Sequence, residues 1–253
     1  MSLGEARRVH LQPAYVLHHR PYRETSRILE LFTRDHGRIS LFARGARGSR
    51  KSGPGLISML QPFNRLLVSW SGRGEAGQLT GAELDGEVGG LPASRLVSGF
   101  YLNELLLKLF ARHDSHPEVF DLYAWTLESL KHGDDAVRPL RIFEKRLLEA
   151  LGYGLNLERE CLTGLPIEPE AIYQYRLEQG AVRVDGPVDE RTSYSGATLL
   201  SLAREDLSDP NARLEARRLL RAALDRCLEG RELKSRQVMQ DLRRHHSRRQ
   251  SGG

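Results

Sequence analysis

Through the first 85 residues, apolar and polar positions alternate in short runs that end at Gly or Pro. In 27–35, Leu29, Leu31 and Thr33 fall on one side and Ile28, Glu30 and Phe32 on the other. In "RISLFARGA", Ile39, Leu41 and Ala43 share a side, against Ser40, Phe42 and Arg44. Side chains of a strand alternate between two faces, so Leu41 and Phe42 cannot both enter one core. This period of two predicts strands over 14–22, 27–35, 38–46, 64–72 and 77–86. His36-Gly37 supplies a turn, so the second and third strands form a hairpin. Five such strands with turn signals between them predict a small antiparallel barrel with an open strand face and mobile loops.

After Pro92 the period changes to that of a helix. Leu96, Phe100, Asn103, Leu107 and Phe110 recur at helical spacing. A second helix is expected over 117–133, opened by Pro117 and closed by Gly133, and a third over 137–154, closed at Gly152. Residues 155–192 carry no sustained period, apart from a hairpin expected around Gln179-Gly180. Helical patterns return over 193–207 and 210–230, and a last helix, "ELKSRQVMQDLRR", leads into a basic tail. The fold class expected is therefore α+β. Residues 1–88 form the barrel, 89–154 with 193–242 the helical domain, 155–192 an insertion, and 243–253 a disordered tail.

Composition adds a bias. The chain has 253 residues, 40% hydrophobic and 28% charged, which suits a globular protein with a buried core. Residues 1–80 hold 13 Lys and Arg against 5 Asp and Glu, while 81–230 hold 18 against 26. A basic head on an acidic body points the head toward a polyanion. No apolar run reaches membrane-spanning length, and the opening residues lack the apolar core of a signal peptide. The expectation is a cytoplasmic protein without a membrane partner. Two cysteines, Cys161 and Cys227, are too few for a disulfide framework.

Enzyme chemistry finds little support. No phosphate-binding glycine loop leads into a helix, and no nucleophile elbow occurs. His18-His19 and His245-His246 are adjacent pairs, poorly placed to share a metal. The acids of the basic head, Glu5, Glu24, Glu30, Asp35 and Glu75, are spread apart, which disfavours a metal-dependent nuclease. The basic stretch "RISLFARGARGSRKSG" is the better lead. Arg38, Arg44, Arg47, Arg50 and Lys51 are spaced by small residues with no acid among them. Arginine forks onto phosphate and stacks on bases, and glycine lets backbone approach a bulky polyanion. With Arg20, Arg23 and Arg73 these residues are the candidate nucleic-acid-binding set; charge alone leaves RNA open as the alternative to DNA.

The stretches "YVLHHRPYRETSRILELFTRDHGRISLFARGAR", "LQPFNRLLVSWSGRGEAGQLTGAEL", "YLNELLLKLF", "LNLEREC" and "LKSRQVM" together resemble the RecO family of bacterial recombination mediators, across about residues 10–240. The resemblance implies an N-terminal OB-fold barrel, a helical domain and a small zinc-finger-like insertion. It implies binding of single- and double-stranded DNA, annealing of complementary strands, work with RecR, and contact with the acidic C-terminal tail of the single-stranded-DNA-binding protein. Together these implications describe a non-enzymatic mediator that helps load recombinase in the RecF pathway.

Two expectations follow for particular residues. Many family members begin a four-cysteine zinc site with C-x-x-C; here the matching text is "CLTG", with Cys161 followed by Gly164 and no later pair. A closed zinc site needs about four ligands. No cofactor is therefore expected, with Tyr173, Tyr175 and Val182 packing the insertion and Cys161 buried as a small residue. For the acidic tail, Arg138, Arg141 and Lys145 lie three and four residues apart on the third helix, the spacing of one helix face. Arg141 is the expected carboxylate clamp.

Overall fold

The computed structural model describes residues 7–22, 26–44, 56–72, 76–86, 90–187, 189 and 191–250, with the backbone alone for residues 7, 56, 57, 243 and 245–250. The elements in chain order are β1 (Arg7–Tyr22), β2 (Ser26–Thr33), β3 (Gly37–Ala43), α1 (Leu56–Met59), β4 (Arg65–Gly72), β5 (Ala76–Leu84), α2 (Leu96–Leu109), α3 (Pro117–His132), α4 (Val137–Ala150), β6 (Ile172–Arg176), β7 (Gly180–Arg183), β8 (Ser193–Ser195), α5 (Gly196–Ala203), α6 (Pro210–Leu228) and α7 (Lys234–Gln250). They form two compact units, Met1–Lys131 with Leu233–Gly253, and His132–Glu232. By this division α2, α3 and α7 belong with the barrel.

The first unit holds a closed barrel in the order β1-β2-β3-β5-β4, with β4 pairing back onto β1. All pairings are antiparallel except β3 with β5. This is an OB-like five-stranded barrel. β1 closes it by serving two partners: Arg7 to Tyr15 faces β4 and Ala14 to Tyr22 faces β2. A strand of 16 residues can bend this far because its register breaks at two irregularities, one between Val9 and Gln12, where Leu11 has φ 47, and one between Val16 and His18. The alternation pattern places β1 only from residue 14, because its first half lacks a clean period.

Ala14, Val16, Leu29, Leu31, Ile39, Leu41, Ala43, Leu60, Leu66 and Val68 fill the barrel. Leu41 points in and Phe42 points out, the division expected from alternation. The outer side of the barrel packs on helices through a ring cluster. Tyr15 lies 5.1 Å from Tyr123 and 5.4 Å from Phe120, and Phe32 lies 5.7 Å from Phe120. Burial pushes the Tyr15 hydroxyl up to about 12. At the centre of this junction Tyr123 donates to Asn103 Oδ1, and Asn103 donates to the Leu17 carbonyl at 2.9 Å. That satisfies the polar atoms of two buried side chains together with a strand carbonyl freed at the second irregularity of β1.

In the second unit α4, α5 and α6 pack beside a three-stranded sheet in the order β7-β6-β8. Asp209 caps α6 by accepting from Ala212 N, with Pro210 in its first turn. Gly180, at φ +114, turns β6 into β7. Residues 193–195, expected to begin a helix, form β8 instead, and Ser195 then caps α5. The last helix does not end at residue 242 but continues to Gln250, since no glycine or proline interrupts the run before Gly252.

Candidate nucleic-acid interface

On β1, β2 and β3 the even-numbered residues after the Val16/His18 break face outward, and the pairing aligns them in rows. Arg20 pairs with Ile28, which pairs with Phe42; Tyr22 pairs with Ser26; Glu30 pairs with Ser40, and Phe32 with Arg38. One outer face thus carries His18, Arg20, Tyr22, Ile28, Glu30, Phe32, Arg38, Ser40, Phe42 and Arg44. The helices divide that face in two.

One end is covered. Arg38 donates from Nη1 to the carbonyls of Leu107, at 2.6 Å, and Phe110, at 2.7 Å, so it satisfies the orphan carbonyls at the end of α2. A cation at a helix C-terminus also complements the helix dipole. Its Nη2 lies 3.8 Å from Glu30, whose carboxylate accepts from Ser40 Oγ and from Arg112 Nη2 at 2.6 Å. Burial lowers the Arg38 pKa; Glu30 opposes that shift and Arg112 adds to it. The segment after α2 runs alongside, with His113 N donating to the Arg38 carbonyl at 2.9 Å. Gly37 permits this approach: at φ +61, a Cβ there would sit 1.9 Å from the Asp114 carbonyl oxygen. Arg38, with a side chain 11% exposed, is held at a strand–helix joint and not on the open end of the face where a phosphate path is expected.

The other end is open. Arg20, Tyr22 and Arg44 are exposed and Ile28 and Phe42 half-buried. The Tyr22 and Phe42 rings lie 5.4 Å apart at 55°. They belong to strands separated by β2, so they lean toward each other above Ser26 and Ile28. Of the candidate cations, the structure brings Arg20 and Arg44 together on this end. Arg23, Arg47, Arg50, Lys51 and Arg73 lie outside the described residues. Other barrel arginines are engaged elsewhere: Arg34 binds Asp121 at 2.8 Å and Arg65 binds Asp85 at 2.7 Å. His18 is exposed while His19 is half-buried, and burial followed by the Arg27 charge lowers the His19 pKa.

In the second unit the three cations of α4 do not form one open face. Arg138 is exposed and donates from Nε to the Glu205 carbonyl at 2.9 Å. Lys145 reaches Glu205 Oε1 at 3.1 Å and Glu149 at 3.4 Å. Arg141 is 7% exposed and pairs with Glu144, itself 2% exposed, at 2.7 Å. It sits on the buried side of α4 in an ion pair with Glu144, whereas the expected clamp needs an open guanidinium. Arg146, which the sequence reading passed over, makes a two-pronged contact with Glu205 at 2.8 and 2.7 Å. It lies outside the three- and four-residue spacing that groups the other three, so the sequence pattern carries no signal for it. Burial raises the Glu205 pKa, but hydrogen bonds from Arg146 and Lys145 outweigh it and hold the carboxyl below its ordinary value.

The insertion does not carry the four cysteines of a closed thiolate site. Cys161 is the one cysteine of 155–192, and Gly164 takes a left-handed turn at φ +72 where a second thiolate would be needed. The fold here is held by other means. Cys161 N donates to the Ala181 carbonyl at 2.8 Å, Arg159 to the Gly164 carbonyl at 2.9 Å, and Tyr175 to the Asn156 carbonyl at 3.2 Å. Tyr173 and Tyr175 are buried as expected; Val182 and Cys161 are only half-buried, because Cys161 lies at the start of an exposed turn. Among the described residues no group of three His, Cys, Asp or Glu side chains is placed to hold a metal. Nor is any helix among them long and apolar enough to cross a membrane.

A closed five-stranded OB-like barrel followed by helices and a small three-stranded sheet defines an α+β class of protein fronted by an OB-like barrel. The family is shown by comparison. Residues 8–86 match the family described as recombination protein O N terminal, and residues 93–237 match recombination protein O C terminal. A DNA repair protein RecO of Nitrosococcus oceani is 48% identical over 237 residues, covering 94% of this chain and 95% of its own. One from Alkalilimnicola ehrlichii is 50% identical over 240 residues, covering 94% and 93%. One from Methylococcus capsulatus is 48% identical over 235 residues, covering 93% and 95%. The chain belongs to the RecO family of non-enzymatic DNA repair proteins.

Proposed function

We propose that this chain is a recombination mediator that binds single- and double-stranded DNA through its barrel, anneals complementary strands, and acts with RecR to load recombinase onto DNA coated by the single-stranded-DNA-binding protein. The observation that carries the reading is the open end of the outer barrel face, where Arg20 and Arg44 flank two half-exposed rings. Arg23, Arg47, Arg50, Lys51 and Arg73 extend the proposed phosphate path. Two polyanions repel, and cations that neutralise both strands at once remove the barrier to pairing. No bond is made or broken in such a step.

Contact with the acidic tail of the single-stranded-DNA-binding protein is assigned to the Arg138, Arg141 and Lys145 region of α4. What supports it is that Lys145 of this region, with its neighbour Arg146, already holds a carboxylate, that of Glu205. An incoming tail would exchange with the Glu205 carboxylate at Lys145 and with the Glu205 backbone carbonyl at Arg138, while the Arg141–Glu144 pair keeps the helix in place.

A strand-annealing assay tests the whole reading. With the coating protein intact, annealing is expected to be promoted; with its tail deleted, promotion is expected to fall. DNA affinity should drop steeply with salt, with a log–log slope of about −4 to −5 if some six phosphates are neutralised. A flat salt dependence would exclude the phosphate path, and tail-independent annealing would exclude the α4 contact.

A further inference from the structure

Helix α7 changes character along its length. Its first half is tied to α2 of the same unit. Glu104 accepts from Lys234 N at 2.9 Å, from Ser235 N at 3.0 Å and from Ser235 Oγ at 2.7 Å, so a carboxylate satisfies the orphan donors at the helix start. The Arg236 guanidinium lies 5.8 Å from the centre of the Tyr101 ring, and Leu233 and Ser235 are buried. Past the half-buried Met239 this packing stops. Gln240, Asp241, Leu242 and Arg244 are exposed, while the backbone stays helical to Gln250. At 1.5 Å per residue, 240–250 carry the helix on for about 16 Å.

This distal half, "QDLRRHHSRRQ", sets Arg243, Arg244, Arg248 and Arg249 against the single acid Asp241. Arg244 and Arg248 are like charges four residues apart, which weakens an isolated helix. Leu242 is the one apolar residue of 240–250, so no apolar face compensates. What such a segment lacks is a polyanion, and its composition chooses which. An acidic protein partner needs apolar and aromatic anchors at the centre of its contact, and one leucine is a poor supply. A single strand is gripped by rings stacked on its bases, and 240–250 contain no Phe, Tyr or Trp. Duplex DNA offers phosphates at higher density, so each cation releases more counterion: the salt slope per phosphate is about 0.9, against about 0.7 for a single strand. A helix about 10–12 Å wide also fits a major groove about 12 Å wide.

We propose that the distal half of α7 is a duplex-DNA-binding arm, distinct from the barrel face, with Arg243, Arg244, Arg248 and Arg249 as its phosphate contacts. At 3.6 residues per turn these four positions spread around the helix axis, as contacts to both walls of a groove require. The proposal rests on the reading of the chain as a DNA-handling protein. It adds to the barrel a contact for the paired product of annealing.

The test compares the full chain with a variant combining Arg243→Gln, Arg244→Gln, Arg248→Gln and Arg249→Gln, which removes the charge and keeps helix propensity. Binding to a blunt duplex and to one of its strands alone is followed by anisotropy over a range of salt. On the duplex the log–log slope is expected to lose about three to four in magnitude, at about 0.9 for each cation, and affinity to fall with it. On the single strand the loss is expected to be small. Lys at the same four positions should keep the duplex slope, since the arm acts through charge. An unchanged duplex slope in the Gln variant, or equal losses on duplex and single strand, would overturn the arm while leaving the barrel reading intact. A Gln variant that keeps duplex binding but loses affinity for a polyglutamate peptide would assign the arm to an acidic protein and overturn it too. A wild type that binds no DNA would remove both readings.

Discussion

Arg38 and Arg44 stand on the same face of the barrel, six residues apart in one strand-forming stretch, and have opposite surroundings. Arg38 is enclosed by Glu30, Arg112 and two carbonyls at the end of α2. Arg44 is exposed. The covered end therefore spends its charge internally, on a helix terminus and an acid. The open end leaves its charge exposed to solvent. The same contrast recurs on α4, where Arg141 is buried against Glu144 and Arg138, three residues earlier, is exposed. The lesson is that an arginine's role follows from what lands on its face, not from its place in a basic stretch.

The contrast on α4 should give the largest effect. Arg141→Ala leaves the Glu144 carboxylate buried without its cation and is expected to destabilise the protein by about 3–5 kcal/mol. Arg138→Ala should change stability far less and lower affinity for an acidic tail peptide. Replacing Arg141 and Glu144 together with Met and Leu should recover most of the loss. Urea unfolding reads all three, and a well-folded Arg141→Ala protein would break the contrast.

On the barrel, Arg38→Ala is expected to cost about 2–4 kcal/mol, since it strips two helix-end carbonyls of their donor and leaves Glu30 with less positive charge. Arg44→Ala should change stability by under about 0.5 kcal/mol and instead reduce the magnitude of the salt slope of DNA binding by about one. If the two variants exchanged these behaviours, the division of the face would be wrong.

The smallest effect is an acid one at the covered end. Asp121 on α3 grips Arg34 just after β2. The Arg34 hydrogen bond lowers the Asp121 pKa against a weaker burial effect, and the Arg34 charge adds to it. A carboxyl held below its unfolded value of about 3.9 contributes stability above that pH and loses it as pH falls through the folded value. Stability between pH 6 and 2.5 should therefore fall slightly less steeply for Asp121→Asn than for the wild type. Identical pH profiles would show that this pair adds nothing to the joint.

Much of this was legible in the chain because local physics wrote it. Alternation sorted Leu41 from Phe42 before any partner strand was known, and the Gln179-Gly180 hairpin and the Pro117 and Gly152 boundaries followed from backbone preference alone. What only the tertiary structure decided was long-range. Arg38 meets the end of α2 some 70 residues later, Arg141 turns toward a core assembled from three helices, and β1 bends to serve two partners through irregularities that carry no periodic signal. A strand or helix fixes which side a residue takes, but which segment covers that side is settled by packing the whole chain.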